Sequence, residues 1–307
     1  MQGFTGEKTL DARPPELRPA PARRHARVLR FVVLRARWLA AALLACALCV
    51  LVTRSVARRL VFRTDRARTS TVPDDLAERT FAAADGVPVH ALYAAGPPGA
   101  HVVVHFHNNS DSMSADVPLA RGLLRRGLGV LLVEYRGYGV SRDEPAPDED
   151  GVYADAAAAL DWLESLGVGK ERVALWGTSL GTGVAAEMAR RGRCAALVLV
   201  APYTSIPDLV ADRAPMVPAG LFVPDRFDTL AKAAAIRVPT LVVHGDADEV
   251  VPFSMGQRVA RSVAKARLLR VPGGHHGDLF ARDGDEILDE IAWYARSGTD
   301  GRLGRAW

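Results

Sequence analysis

The sequence predicts an α/β fold: a mostly parallel central sheet with helices on both faces, a short lid insertion and an N-terminal transmembrane helix. Three observations predict it. Short, near-continuous apolar runs alternate with helical segments along the second two-thirds of the chain, as strands do when crossover helices bury them on both faces. Gly177-Thr178-Ser179-Leu180-Gly181 lies between an apolar β-prone run and a helix-forming run. Trp38–Val52 is fifteen uncharged, nearly all apolar residues.

Residues 1–30 are rich in Pro, Arg and Ala with little apolar periodicity, and are expected to be a disordered basic tail suited to anionic lipid head groups. Residues 31–54 are expected to form the anchor, with the membrane contacted through residues 38–53. Fifteen apolar residues fall short of the ~20 of a typical span. Flanking Arg35, Arg37, Arg54, Arg58 and Arg59 can snorkel, and a bilayer can thin. A single-pass anchor is preferred to a cleaved signal peptide, for which Ser55-Val56-Ala57 supplies a small-x-small site. A buried soluble helix fits least, because the run has no polar face. Arginine is equally dense on either side, so charge does not fix the orientation. The extracytoplasmic side is the preferred placement of the catalytic domain.

Residues 55–76 read as a charged linker. Then Arg79–Ala84 and Val87–Ala95 flank Asp85-Gly86, a hairpin turn signal. Apolar strands follow at His101–His107, Gly129–Glu134, Arg172–Trp176, Ala195–Ala201, Val238–His244 and Arg267–Val271. Helical segments separate them at Val117–Arg126, Val152–Leu166, Val184–Arg191, Phe253–Ala264 and Glu286–Ala295. The domain thus spans 77–297, with a lid at 203–235, rich in Pro, Asp and Phe, and a flexible tail at 298–307.

Composition narrows the function. Residues 1–68 carry 15 Lys/Arg against 4 acidic residues, and the remainder 24 against 31. The domain is therefore acidic, which argues against nucleic acid as its ligand. Cys46 and Cys49 lie in the apolar run, and Cys194 stands alone in the domain, so the domain forms no internal disulfide. His105, His107 and His244 lack an accompanying carboxylate or cysteine cluster at ligand spacing, so no metal and no cofactor is expected.

The chemistry is carried by Ser179. A serine on a sharp turn between a buried strand and a helix is pushed above the sheet edge, and flanking glycines let backbone pass close. A hydroxyl is a weak nucleophile. It needs a base, a carboxylate to orient that base, and donors for an oxyanion. This architecture supplies them in the order Ser, Asp/Glu, His. Asp246 and Asp248 follow the strand Val238–His244, and His275 and His276 follow Arg267–Val271. One oxyanion donor is the N–H of Leu180. The other comes from the loop His107-Asn108-Asn109-Ser110, where asparagine tolerates irregular backbone.

From about Ala77 to Ala295 the chain resembles the α/β-hydrolase superfamily, and within it the membrane-anchored serine hydrolases that cleave acyl thioesters, monoacylglycerols and lysophospholipids. Glu134-Tyr135-Arg136-Gly137-Tyr138-Gly139-Val140-Ser141 resembles D-Y-R-G-Y-G-x-S. Ala201-Pro202-Tyr203-Thr204-Ser205-Ile206 and Asp225-Arg226-Phe227-Asp228 resemble A-P-Y/F-T-S-I/L and D-R-F-D/N. His244-Gly245-Asp246-Ala247-Asp248-Glu249-Val250-Val251-Pro252 resembles H-G-x-x-D-x-x-V-P, which implies Asp248 rather than Asp246 as the acid. Gly274-His275-His276-Gly277-Asp278 resembles G-x-H-N-D, which implies His276 as the base, with His275 as second choice. His107-Asn108-Asn109-Ser110 stands where the family has H-G-N-A, which implies the N–H of Asn109 as the second oxyanion donor, with Asn108 in place of the family's glycine.

The expectation is a monomeric, membrane-anchored serine hydrolase using Ser179, Asp248 and His276 on a small-molecule acyl ester, thioester or lipid. Met216, Val217, Leu221, Phe222 and Val223 of the lid suit a lipid-like acyl group. A serine peptidase of the same fold acting on short peptides is the alternative, and a non-catalytic binding protein on a hydrolase scaffold the third reading.

Overall fold

The computed structural model describes residues 21–66 and 75–297. The expected tail at 298–307 and residues 1–20 lie outside the described residues. The chain divides into two compact units, Met1–Val52 and Thr53–Trp307.

The described part of the first unit is helical. Helix α1 runs Pro21–Val61, so its last turns, from Thr53 on, belong to the second unit. Two sequence expectations are corrected here. Residues 21–30, assigned to a disordered tail, are helical, and so are residues 55–61 of the supposed linker. The run of Ala, Leu, Val and Arg between Pro21 and Val61 contains no glycine, and its one proline stands at the first helical position, so nothing stops the helix. Leu29–Val61 is apolar and long enough to cross a membrane, with a mean hydropathy of 2.2 in its most apolar stretch.

The second unit is built on one eight-stranded sheet: β1 Ala77–Ala82, β2 Pro88–Ala94, β3 Val102–Phe106, β4 Gly129–Val133, β5 Val173–Thr178, β6 Ala196–Val200, β7 Thr240–Gly245 and β8 Ala266–Val271. Their spatial order is β1-β2-β4-β3-β5-β6-β7-β8. The pairs β1–β2 and β2–β4 are antiparallel and the rest are parallel. The hairpin signal thus became the antiparallel edge, and the apolar runs became the parallel interior.

Period-2 alternation sends neighbours along each strand to opposite faces. On β3, Val102, Val104 and Phe106 join one core, while Val103 joins the other. The first core includes residues of α3 (Glu149–Ser165), α4 (Leu180–Arg190) and α8 (Phe253–Ser262). The second includes residues of α2 (Val117–Arg125) and α9 (Leu279–Ser297). Helix boundaries follow caps rather than apolar periodicity. Asp148 accepts the Gly151 N–H, so α3 starts at Glu149, three residues before the apolar pattern suggests. Helix α9 begins at Leu279 and breaks its helical geometry at Asp283, ahead of the expected start at Glu286.

Tyr203–Ala235 interrupts the alternation with three short helices: α5 Ile206–Arg213, α6 Ala219–Phe222 and α7 Thr229–Ala233. Ser205 caps the first by accepting the Asp208 N–H.

One buried ion pair ties the antiparallel edge to the helical layer. Asp155 is fully buried in α3 and accepts the Arg136 backbone N–H at 3.0 Å and its guanidinium at 2.6 Å. The same guanidinium reaches Asp85 in the β1–β2 turn at 2.6 Å. Removing one partner strands a buried charge. Asp155→Ala is expected to lower unfolding free energy by about 3–5 kcal/mol, measured by denaturant titration of the detergent-solubilised chain. A change below ~1 kcal/mol would mean that Asp85 alone suffices to hold the Arg136 charge.

Candidate active site

Ser179 sits between the end of β5 and the first residue of α4 with φ 51° and ψ −114°. A non-glycine residue with positive φ carries backbone strain, and it persists only where its surroundings over-determine it. Here the Ser179 N–H donates to Val200 O of β6 at 2.9 Å, and the Thr182 hydroxyl donates to Ser179 O at 2.6 Å. Gly181 lets the turn close. A Cβ built there would lie 2.0 Å from Phe106 O at the end of β3. Only glycine lets α4 approach that strand so closely.

The two loops singled out downstream converge on the serine. His276 Nε2 lies 3.1 Å from Ser179 Oγ, and His276 Nδ1 lies 2.8 Å from Asp248 Oδ2. A carboxylate can only accept, so Nδ1 carries a hydrogen and Nε2 presents its lone pair to the hydroxyl. Asp246 and His275 are turned elsewhere. Asp246 accepts from the Arg270 guanidinium and from the Gly273 N–H at 2.6 Å. His275 is exposed and pairs with Glu249 at 3.1 Å.

The Asp248 side chain is fully buried and fully partnered. Its Oδ1 accepts the N–H groups of Val250 and Val251 at 2.8 and 2.7 Å. Its Oδ2 faces His276 and also His244 Nε2, at 3.3 Å. Burial alone would raise its pKa. The hydrogen bonds from His244 and His276, with the Val251 N–H, override that and hold the carboxyl well below the usual range. His244 was not foreseen as a partner, although it heads the H-G-x-x-D match. Its ring also reaches Val251 O at 3.0 Å, which fixes the loop. Gly256 in α8 makes room for it, since a Cβ there would lie 2.1 Å from His244 Nδ1.

The loop after β3 is anchored from below. His107 is fully buried, with Nε2 3.2 Å from Glu134 Oε1 and Nδ1 2.7 Å from Asn108 O. Burial opposes its charge, but Glu134 more than offsets this and raises its pKa. Asn108 does with its side chain what glycine does by backbone freedom. Its Oδ1 accepts the N–H groups of Ser110 and Asp111 at 2.8 and 3.0 Å, closing a tight turn. Asn109 is clamped by its side chain, which donates to Val61 O at 3.1 Å, and by its carbonyl, which accepts from the Arg63 N–H and the Tyr138 hydroxyl. Asn109 and Leu180 both line the cavity that contains Ser179.

That cavity measures about 380 Å³, within the ~300–1,000 Å³ of small-ligand pockets. Its walls are predominantly apolar. Of the lid residues named from the sequence, Val217, Phe222 and Val223 line it, while Met216 and Leu221 are exposed and do not. The three histidines weighed as metal ligands pair instead with separate carboxylates. His105 meets Asp116 at 3.3 Å, and burial and His107 push its pKa down to about 3. Among the described residues no group of three or more His, Cys, Asp or Glu is disposed to hold a metal ion.

Sheet order, helical layers and this strand–turn–helix define an α/β hydrolase. The chain belongs to the alpha/beta hydrolase fold family, whose model matches residues 101–234. An uncharacterized protein of Mycobacterium tuberculosis (strain ATCC 25618 / H37Rv) is 36% identical over 204 residues, covering 66% of this chain and 70% of that protein. A putative alpha/beta hydrolase of Acanthamoeba polyphaga mimivirus is 28% identical over 222 residues, covering 70% and 82%. Among solved structures, an esterase of Pyrococcus furiosus superimposes with a TM-score of 0.63 at 18% identity, over 75% of this chain and 97% of that one. At that identity the likeness shows the shared fold. Together these findings support a hydrolase.

A depressed carboxylate contributes stability above its unfolded pKa, ~3.9, and loses it as pH falls through the folded value. Asp248→Asn should therefore destabilise the domain by about 1–3 kcal/mol at neutral pH. The gap to the parent protein should stay level down to about pH 4 and narrow below it. Thermal unfolding from pH 7 to pH 3 measures this, and a gap that widened on acidification would contradict the assignment.

Proposed function

We propose that the protein is a membrane-anchored serine hydrolase that cleaves carboxylic ester or thioester bonds of acyl or lipid-like substrates. One observation carries the reading: Ser179 Oγ, His276 and Asp248 Oδ2 form a continuous hydrogen-bonded relay at 3.1 and 2.8 Å, opening into an apolar cavity.

The chemistry follows from the relay. Ser179 Oγ attacks the acyl carbonyl while His276 Nε2 takes its proton. Asp248, kept ionised by its partners, orients the ring and stabilises the imidazolium. The carbonyl oxygen becomes an oxyanion and accepts from the N–H groups of Leu180 and Asn109. The Leu180 N–H stands at the N-terminus of α4, whose dipole favours negative charge there. His276 then protonates the departing alcohol or thiol, leaving the acyl group on Ser179. Water, deprotonated by His276, attacks that ester and releases the acid.

The apolar helix supports anchoring, since Leu29–Val61 has the length and composition of a span. We place the catalytic residues in 77–297 and treat 203–235 as the lid, because it carries Val217, Phe222 and Val223 to the cavity. An apolar lining favours an acyl chain over a peptide, whose backbone groups would lose their hydrogen bonds there.

A fluorophosphonate should label the parent protein and leave Ser179→Ala unlabelled; persistent labelling of the alanine variant would sink the assignment. His276→Ala should lower kcat by at least ~10³-fold, because the relay acts as a unit. His275→Ala should retain activity within about threefold, as an exposed residue outside the relay does. Comparing p-nitrophenyl acyl esters with aminoacyl-nitroanilides separates esterase from peptidase, and a preference for the anilides would favour the latter.

A further inference from the structure

The cavity at Ser179 has a wall that no sequence motif announces. Thr53, Val56, Ala57, Leu60 and Val61, from the last turns of α1, line it. They share the lining with Leu209 and Val210 of α5 and Phe222 of α6. This piece of α1 is built into the catalytic unit. Val61 and Phe62 are buried in its core, and Ala57 packs against that core. Phe62 meets Phe227 edge-on at 5.9 Å between ring centroids. Arg58 donates to the buried Asp225 at 2.8 and 3.2 Å. Asp225 also accepts the Glu149 N–H at 2.9 Å, so a buried carboxylate links α1 to the start of α3. Val61 O accepts from the side chain of Asn109. The wall and the loop that carries Asn109 are therefore one piece of structure.

We infer that the last turns of α1 are a specificity element: they form one side of the acyl-chain site and set the chain length the enzyme accepts. The inference rests on the hydrolase reading above. The occupant is an unbranched acyl chain whose carbonyl carbon lies at Ser179 Oγ. The chain extends between Val56, Ala57 and Val61 on one side and Leu209, Val210 and Phe222 on the other. The shape of the chemistry supports this occupant. The polar groups named above, Ser179 and Asn109, lie where a carbonyl would react, and the rest of the lining apart from Thr53 is aliphatic or aromatic. Such a slot rewards each added methylene until it is full, by about fourfold in kcat/KM per carbon. It rewards nothing beyond that.

The test uses the full chain in detergent and p-nitrophenyl esters from acetyl to dodecanoyl. In the parent protein kcat/KM should rise with chain length and then level off. Ala57→Phe places a ring in the slot, and Val56→Trp narrows its half-exposed rim. Each should lower the ratio of kcat/KM for the decanoyl ester to that for the acetyl ester by more than tenfold. The fluorophosphonate labelling rate at Ser179 reports folding and reactivity independently. Equal losses for short and long esters with normal labelling would overturn the inference, as would an unchanged chain-length profile in both variants. If Ala57→Phe fails to label, Val56→Trp decides. If the parent protein itself fails to label, the hydrolase reading falls, and that result is distinct from an altered profile.

Discussion

The geometry depends on one strained residue. Ser179 holds φ 51°, a conformation that a free chain would leave at once. Strands β3, β5 and β6 and the helix that follows keep it there. The turn is pinned to β6 through Val200 O and packed against the end of β3 through Gly181. A parallel sheet suits this task because all its strands end on one edge, so loops after β3, β5, β7 and β8 gather at the same place. Asn109, the Ser179 hydroxyl, Asp248 and His276 come from those four loops in turn.

The electrostatics are organised around buried carboxylates that each hold an imidazole. Asp248 holds His276 and His244, Glu134 holds His107, and Asp116 faces His105. These pairs have different tasks. The first leaves the His276 Nε2 lone pair facing Ser179 Oγ. The second raises the pKa of a buried histidine beneath the Asn109 loop, where Tyr135 and Tyr138 also donate to loop carbonyls. The E-Y-R-G-Y-G stretch thus acts from below. Glu134, Tyr135 and Tyr138 support the loop, and Arg136 turns away to the Asp155 and Asp85 carboxylates.

Much of this was legible in the sequence because burial writes a plain pattern. Val102–Phe106, Gly129–Val133 and Ala196–Val200 are buried at every position, and each appears as an unbroken apolar run but for His105. The hairpin was announced by Asp85-Gly86. Pairwise choices were less legible. Nothing in the residues alone separates His275 from His276, because adjacent side chains on a loop point in directions set by the whole fold. Least legible was the end of α1. Arg54, Arg58 and Arg59 make it look like a solvated linker, yet Arg58 is held by Asp225, 167 positions away in sequence. A long-range ion pair leaves no periodic trace. Asn108 is the converse case: a departure from the family's glycine whose side chain supplies the turn itself.

The Arg58–Asp225 pair bears on how such a protein can be handled. The natural way to obtain a soluble enzyme from an anchored one is to delete the apolar stretch and begin at the first charged residues after it. Here a chain begun at Arg59 would leave the Asp225 carboxylate, whose side chain is only 3% exposed, without its Arg58 partner. It would also take Thr53, Val56 and Ala57 from the cavity. The trimmed product would carry Ser179, His276 and Asp248 and lack part of the wall of the cavity beside them. One helix thus carries both the apolar stretch and a wall of the cavity, and a cut that removes the first cannot avoid the second unless it falls before Thr53.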